Sequence, residues 1–255
     1  MPLYSATSPL PKNQMKLRTF NPSRIDGLQL WLDATKGLFD ATSGGNPVTT
    51  DGSTVARWED QSGSGYNVLQ ATLANRPILK TAIKNNKNAI RFDGSNDVLI
   101  SASIASDNLL KFTAFLVVSG ASGGGGNAGR IFERGTGVLN VFMFSGITTS
   151  IICGGSQLTA SSSVSLSTFN LISPKWIGGA GFGTTTIRAN KTLVGTGNTT
   201  SSPSVANTTY QIGNRTALDR AFNGDVGEII IYNESLTDSQ TDQVEAYLYN
   251  KWGLT

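Results

Sequence analysis

Trp58, Tyr66 and Trp176 stand beside glycine-rich loops. Aromatic rings next to polar side chains are what a sugar-binding groove or loop rim needs. These three are the candidate glycan-contacting residues, whereas Trp31 and Trp252 read as core. A second group is cationic. Lys12, Lys16, Arg18 and Arg24 lie within the first 26 residues, opposed only by Asp26. The chain holds 20 Lys and Arg against 17 Asp and Glu, so after residue 26 there are 16 of each (20 − 4 and 17 − 1). The positive charge is therefore an N-terminal property. It makes no broad basic face of the kind nucleic-acid binding needs.

The missing residue types exclude more. There is no histidine, which removes Ser-His-Asp chemistry, His-ligated zinc and the commonest general base. The one cysteine, Cys153, sits between Ile152 and Gly154 and reads as a small buried hydrophobe. No internal disulfide can form. No run of 18 apolar residues suggests a membrane span. The N-terminus lacks a basic region followed by an apolar one, so it does not read as a standard secretory signal.

Residues that contact a ligand must be held by elements, and the composition says which. Only 15% of residues are charged and 29 are glycine, with Ser, Thr and Asn abundant. That favours turns and strands over helices, and 255 residues suit one large β-sandwich. Residues 1–24 carry Pro2, Pro9, Pro11 and Pro22, are polar and show no period, which predicts an extended arm. With little to bury, the arm is expected to dock through its basic residues on a neighbouring subunit. The domain is expected over 25–255. Alternation and turn signals predict strands at 28–32, 55–58, 89–93, 98–100, 130–133, 138–144, 169–172, 184–188, 210–213 and 222–232. Residues 112–118 form the strongest apolar run and should be a central strand. Asn190-Lys191 reads as a hairpin turn, because Asn tolerates positive φ. The glycines 123–126 read as a loop tip, and 156–167 as a low-complexity Ser/Thr stretch. One helix closes the chain. Thr237 caps it, Gln240 completes a capping box, Val244, Tyr247, Leu248 and Trp252 share a face, and Gly253 ends it.

Five segments occur in an order seen in a known group: Leu28-Gln-Leu-Trp-Leu-Asp-Ala34, Trp58-Glu-Asp-Gln-Ser-Gly63 with Gly65-Tyr-Asn67, Arg76-Pro77, Arg91-Phe-Asp-Gly-Ser-Asn-Asp97, and Phe222 to Gly253. The chain resembles concanavalin A-like lectin/glucanase domains of the laminin-G-like type, over about residues 25–255. The resemblance implies an all-β fold, a jelly-roll sandwich of two antiparallel sheets with a short C-terminal helix.

Glucanases of that superfamily use two carboxylates flanking the scissile bond, carried on one strand in mid-chain. Here residues 135–218 contain no acid and no Glu-x-Asp-x-Glu pattern exists. A glycoside hydrolase is thus the remote alternative, and no catalytic residue is assigned. Related sandwiches often hold Ca2+ through hard oxygen donors. On that resemblance Asp93, Asn96 and Asp97, in one turn, and Asp225, before the last strand, are the candidate calcium ligands. Domains of this type normally face the outside of a cell, yet no export signal is seen. That combination, with the basic arm, suggests a phage virion surface component, a head decoration or fibre protein. It would be part of a larger assembly or a homo-oligomer, and would bind host surface glycans. The alternative is a bacterial cell-surface carbohydrate-binding adhesion module.

Overall fold

A computed structural model describes residues 20–104, 109, 111–135, 138–144, 147–161, 163–178, 182–199 and 208–255. Its strands, in chain order, begin with β1 (Leu28–Asp33), β2 (Leu38–Phe39), β3 (Arg57–Trp58), β4 (Val68–Leu69), β5 (Ile78–Lys84), β6 (Lys87–Asp93), β7 (Leu99–Ser101), β8 (Phe112–Gly120) and β9 (Ala128–Arg134). They continue with β10 (Leu139–Phe144), β11 (Thr148–Cys153), β12 (Ser156–Ala160), β13 (Asn170–Gly178), β14 (Gly183–Ala189), β15 (Thr192–Thr199), β16 (Tyr210–Ile212) and β17 (Asn223–Tyr232). The closing helix α1 follows (Asp238–Trp252).

Two antiparallel sheets form a sandwich. The first runs β15-β14-β13-β8-β17-β6-β5, with β1 also pairing β17, and the second runs β12-β11-β10-β9-β16-β7-β4-β3-β2. β8 is buried along its whole length in the middle of the first sheet, as its continuous apolar run requires. β17 is ten residues long and organises three neighbours. It lies along β8 on one edge; on the other, Asn223–Val226 pair β6 and Glu228–Tyr232 pair β1.

The register of β17 slips between Val226 and Glu228, so Gly227 is an extra residue in the ladder. A one-residue slip reverses which side chains face the core. Val226, Ile229 and Ile231 therefore enter the core between the sheets. Ile230 and Tyr232 face the other way, into a second core beneath α1 with Val117, Leu171, Val244, Leu248 and Trp252. A Cβ on Gly227 would come within 2.7 Å of the Trp252 ring, so the bulge is also what lets the helix approach.

Between sheet and helix, the Glu228 carboxylate is fully buried and accepts four bonds. Oε1 receives Trp31 Nε1 (2.7 Å) and the Tyr247 hydroxyl (2.9 Å); Oε2 receives Trp252 Nε1 (2.7 Å) and lies 2.7 Å from Lys251 Nζ. Lys251 Nζ also lies 2.7 Å from Asp33 Oδ2. Burial pushes the Glu228 carboxyl above the ordinary range while the Lys251 ammonium pulls it back. Capping is as the sequence predicts: Thr237 and Gln240 exchange both capping-box bonds, and Gly253 adopts the left-handed conformation at the C-terminus.

Other local expectations hold for stated reasons. Asn190 (φ 50°) and Lys191 (φ 68°) form the turn between β14 and β15. A second turn of the same kind, Asn85-Asn86 (φ 47° and 54°), joins β5 to β6, a hairpin that the alternation did not reveal. The Trp58–Gly63 motif is a backbone knot. The Asp60 carboxylate accepts from the amides of Trp31, Ser62 and Tyr66 and from the Ser62 hydroxyl, fastening β1 to the loop after β3.

Two expectations are corrected and one is made more specific. The glycines 123–126 are not an open tip: a Cβ on Gly124 would lie 2.2 Å from the Ala221 carbonyl oxygen, so they permit close backbone contact. The Ser/Thr stretch contains β12, paired with β11. The last residues of the expected arm pack at home: Pro22 is buried, its carbonyl accepts from the Tyr232 hydroxyl at 3.0 Å, and Phe20 packs on Tyr247. Arg24 is exposed, while Lys12, Lys16 and Arg18 lie outside the described residues. Among the described residues no helix is long and apolar enough to cross a membrane.

Candidate functional site: an open groove beside the closing helix

The helix, about 22 Å long at 1.5 Å per residue, covers only part of the first sheet's outer face. Where it ends, at Trp252, the face continues uncovered over β5, β6, β17 and β8. A groove of about 520 Å3 opens there. Arg91 on β6, Asp225 on β17 and Ser119 on β8 contribute to its lining, with Lys84 at the end of β5. Phe169, Ser167 and Thr168, just before β13, complete it with Ala121 and Asn223.

The register explains the convergence. Asp225 pairs with Arg91 on one side and Ser119 on the other, and directly opposed residues in antiparallel strands project on one face. Arg91 Nε and Nη2 donate to the two Asp225 oxygens at 2.8 and 2.9 Å, a two-pronged geometry with high positional definition. Asp225 raises the Arg91 guanidinium above its already high ordinary pKa. The Phe169 ring is half-buried and stacks on Trp252 at 6.0 Å and 15°, so the closing helix fixes an aromatic wall of the groove. Asn223 is oriented by donating to the Ser122 hydroxyl at 3.0 Å. The hydroxyls of Ser119, Ser167 and Thr168 make no hydrogen bond to a described residue. The arrangement offers a rigid carboxylate–guanidinium pair, an amide, free hydroxyls and an aromatic surface, a set suited to orienting a polyhydroxylated ligand.

Of the residues expected to contact glycan, none lines this groove. Trp58 and Trp176 are fully buried and offer no surface to a sugar, which corrects that expectation. Trp58 is sandwiched between Leu38 and Val68 on neighbouring strands. Trp176 lies over Gly178 and Gly183, where any Cβ would be within 2.8 Å of its ring, and its indole N–H donates to Thr199 Oγ1 at 2.8 Å. Tyr66 is partly buried against the core, edge-on to Tyr210.

The calcium set does not assemble. Asp93 Oδ1 accepts from the amides of Ser95 and Asn96, Asp97 Oδ2 from the Asp93 amide, and Asn96 donates to Asn75. This is turn chemistry. Burial, then the charge of Asp93, raises Asp97 to about 6. Asp225 is engaged by Arg91 instead. Among the described residues no group of three or more His, Cys, Asp or Glu side chains is arranged to hold a metal ion. Four other buried acids are paired with cations: Glu133 lies 3.0 Å from Arg130 and Glu245 2.8 Å from Arg188, and Asp33 and Glu228 share Lys251 beneath the helix.

Sequence reasoning singled out Asp225 but missed Lys84, Ser119, Phe169 and Asn223. Arg91 was noticed only as part of a motif. The one available signal was that two antiparallel strands carry Arg91 and Asp225, and their pairing cannot be read without the register.

No family model matches the chain, and no curated protein matches its sequence. Its fold does match solved structures. Domain 4 of AbnA, a GH43 extracellular arabinanase from Geobacillus stearothermophilus in complex with arabinotriose, is 13% identical with a TM-score of 0.55, over 85% of this chain and 97% of that one. The binding domain of Paraclostridial Mosquitocidal Protein 1 is 12% identical (TM-score 0.58), over 90% of this chain and 54% of that one. The receptor binding domain of botulinum neurotoxin type G is 13% identical (TM-score 0.53), over 88% and 51%. The chain thus spans nearly all of the arabinanase domain and about half of each toxin domain. At these identities the likeness is one of fold: a two-sheet antiparallel β-sandwich.

Proposed function

We propose that this protein is a non-catalytic binding module that takes a saccharide in the groove between the end of α1 and strands β5, β6, β17 and β8. The observation that carries the reading is the groove itself: Phe169 faces the fixed Arg91–Asp225 pair, with Asn223 and three free hydroxyls around them. The fold relatives support it, since one was solved with arabinotriose and two are described as binding domains. The commitment of Asp33, Glu133, Asp225, Glu228 and Glu245 to internal cations favours binding over hydrolysis, which needs two acids facing the same bond.

The setting we propose is a surface outside the cell, first that of a phage virion, with the module as a head decoration or fibre component. The N-terminal segment would then anchor it to other virion proteins through Lys12, Lys16, Arg18 and Arg24. The concentration of the chain's excess charge in that segment supports this. A bacterial cell-surface adhesion module would use the same groove with another anchor.

A glycan array with the wild type and two variants tests the groove. Phe169→Ala removes the aromatic wall. Ala121→Trp, at an exposed rim position, fills the space. Both should abolish the array signal while the protein stays folded by circular dichroism; full binding by Ala121→Trp would rule the groove out. Immunogold labelling of intact particles tests the virion setting, and a signal only on bacterial cells would favour the alternative.

A further inference from the structure

Resting on the reading that this groove takes a saccharide, we propose that the sugar is anionic: its carboxylate is bound jointly by the Lys84 ammonium and the unspent edge of the Arg91 guanidinium. Arg91 has five N–H donors. Two are used on Asp225, and none of the other three bonds a described residue. The side chain is still 43% exposed while so paired, so its free edge is open to the groove. Lys84 enters no ion pair with a described residue, in contrast to Lys80 on the same strand, which is held by Asp51.

The charge count of the lining follows: two cations, Lys84 and Arg91, against one carboxylate, Asp225. A neutral sugar has no use for the surplus positive charge, whereas a carboxylate ligand completes it. Arg91 is held by its side chain and Lys84 by its backbone. Asp225 fixes the plane of Arg91. Lys84 precedes the Asn85-Asn86 turn, and Asn85 Nδ2 donates to the Lys251 carbonyl oxygen at 2.9 Å, tying the β5–β6 hairpin to the end of the helix. A preorganised donor such as Arg91 loses less freedom on binding than a mobile side chain does. The hydroxyls of Ser119, Ser167 and Thr168 remain for the ring hydroxyls, and Phe169 for the sugar face.

The test uses the full chain and immobilised polygalacturonate and polysialate, each beside its carboxyl-reduced form, with dextran sulfate as a charge-only polymer. A native polyacid should bind about tenfold more tightly than its reduced form, as one close, oriented charge contact allows. Lys84→Gln should remove most of that difference between the native and reduced polymers. Lys111→Gln is the control, since Lys111 lies about 26 Å along β8 from Ser119 at 3.3 Å per residue; it should change nothing.

Equal binding of native and reduced polymers would overturn this inference and leave the saccharide reading standing. So would an unaltered preference in Lys84→Gln. Tightest binding to dextran sulfate, weakened equally by Lys111→Gln, would mean diffuse charge attraction and would also overturn it. No binding to any of these polymers, nor to any neutral or acidic glycan on an array, would overturn both.

Discussion

Replacing Glu228 by Gln keeps the shape of the most connected buried side chain and removes only its charge and one acceptor. Four donors converge on the carboxylate, and no acceptor does. A glutamine can satisfy at most half of them. In its best orientation the amide oxygen faces Trp252 and Lys251, and the amide nitrogen faces Tyr247 and Trp31. The Tyr247 hydroxyl can turn to accept, but the Trp31 indole N–H is left against a donor. An orphaned buried donor costs about 1–3 kcal/mol, and loss of charge from the remaining bonds costs about as much again. Part of this is offset because a neutral amide is cheaper to bury than a carboxylate. The net loss is about 2–4 kcal/mol, or a fall in Tm of about 8 °C for a domain of this size. Differential scanning calorimetry at pH 7 measures it. Lys251→Met provides the complementary arm, since it strands two buried carboxylates, Asp33 and Glu228, without their shared cation. Its penalty should be greatest at pH 7 and shrink as the pH falls and burial protonates Glu228. A Glu228→Gln protein melting within about 2 °C of wild type, equivalent to under 1 kcal/mol, would refute the view that this cluster holds the helix to the sheet.

The remaining predictions are local. Asp97 is raised to about 6, so the folded state holds its proton more tightly than the unfolded chain. The stability this proton gives is complete below the ordinary carboxylate value near 4 and is lost as pH rises through 6. Asp97→Asn does not titrate, so wild type should gain in Tm relative to that variant as pH is lowered from 7 to 4. Gly213→Ala should cost more than about 3 kcal/mol in urea unfolding, because φ is +85° and the new Cβ would lie 2.0 Å from the Phe92 ring. Cys153 is buried and its thiol is pushed up to about 12; thiol reagents should label it only after unfolding. EDTA should leave the melting temperature unchanged, because both Asp225 oxygens bond Arg91 and one oxygen each of Asp93 and Asp97 is used within the turn.

The elements legible in the sequence were those whose signals are local. The apolar run 112–118 could only be a central strand, and the Thr237/Gln240 box with Gly253 delimits the helix through bonds within a few residues. Asn190-Lys191 announces its turn because Asn accepts the required φ. Those features depend on neighbours along the chain. Burial of an aromatic ring beside a loop does not. Trp58 and Trp176 were placed at a binding rim because glycines flank them; in the fold, Gly178 and Gly183 instead make room for the Trp176 ring inside the structure. Nothing local in the sequence marks Glu228, and only the packing of β1 and α1 against β17 shows that it gathers two indoles, a phenol and an ammonium from 197 residues apart to 19. The groove was the least legible feature. Arg91 and Asp225 are 134 residues apart and meet only through the β6–β17 register, while Gly227 determines which residues of β17 face the helix. The sequence by itself determined the β-rich composition, the absence of histidine chemistry and the capped helix. Tertiary structure alone decided which polar side chains share an open face, because a one-residue slip in one strand would have turned Asp225 inward.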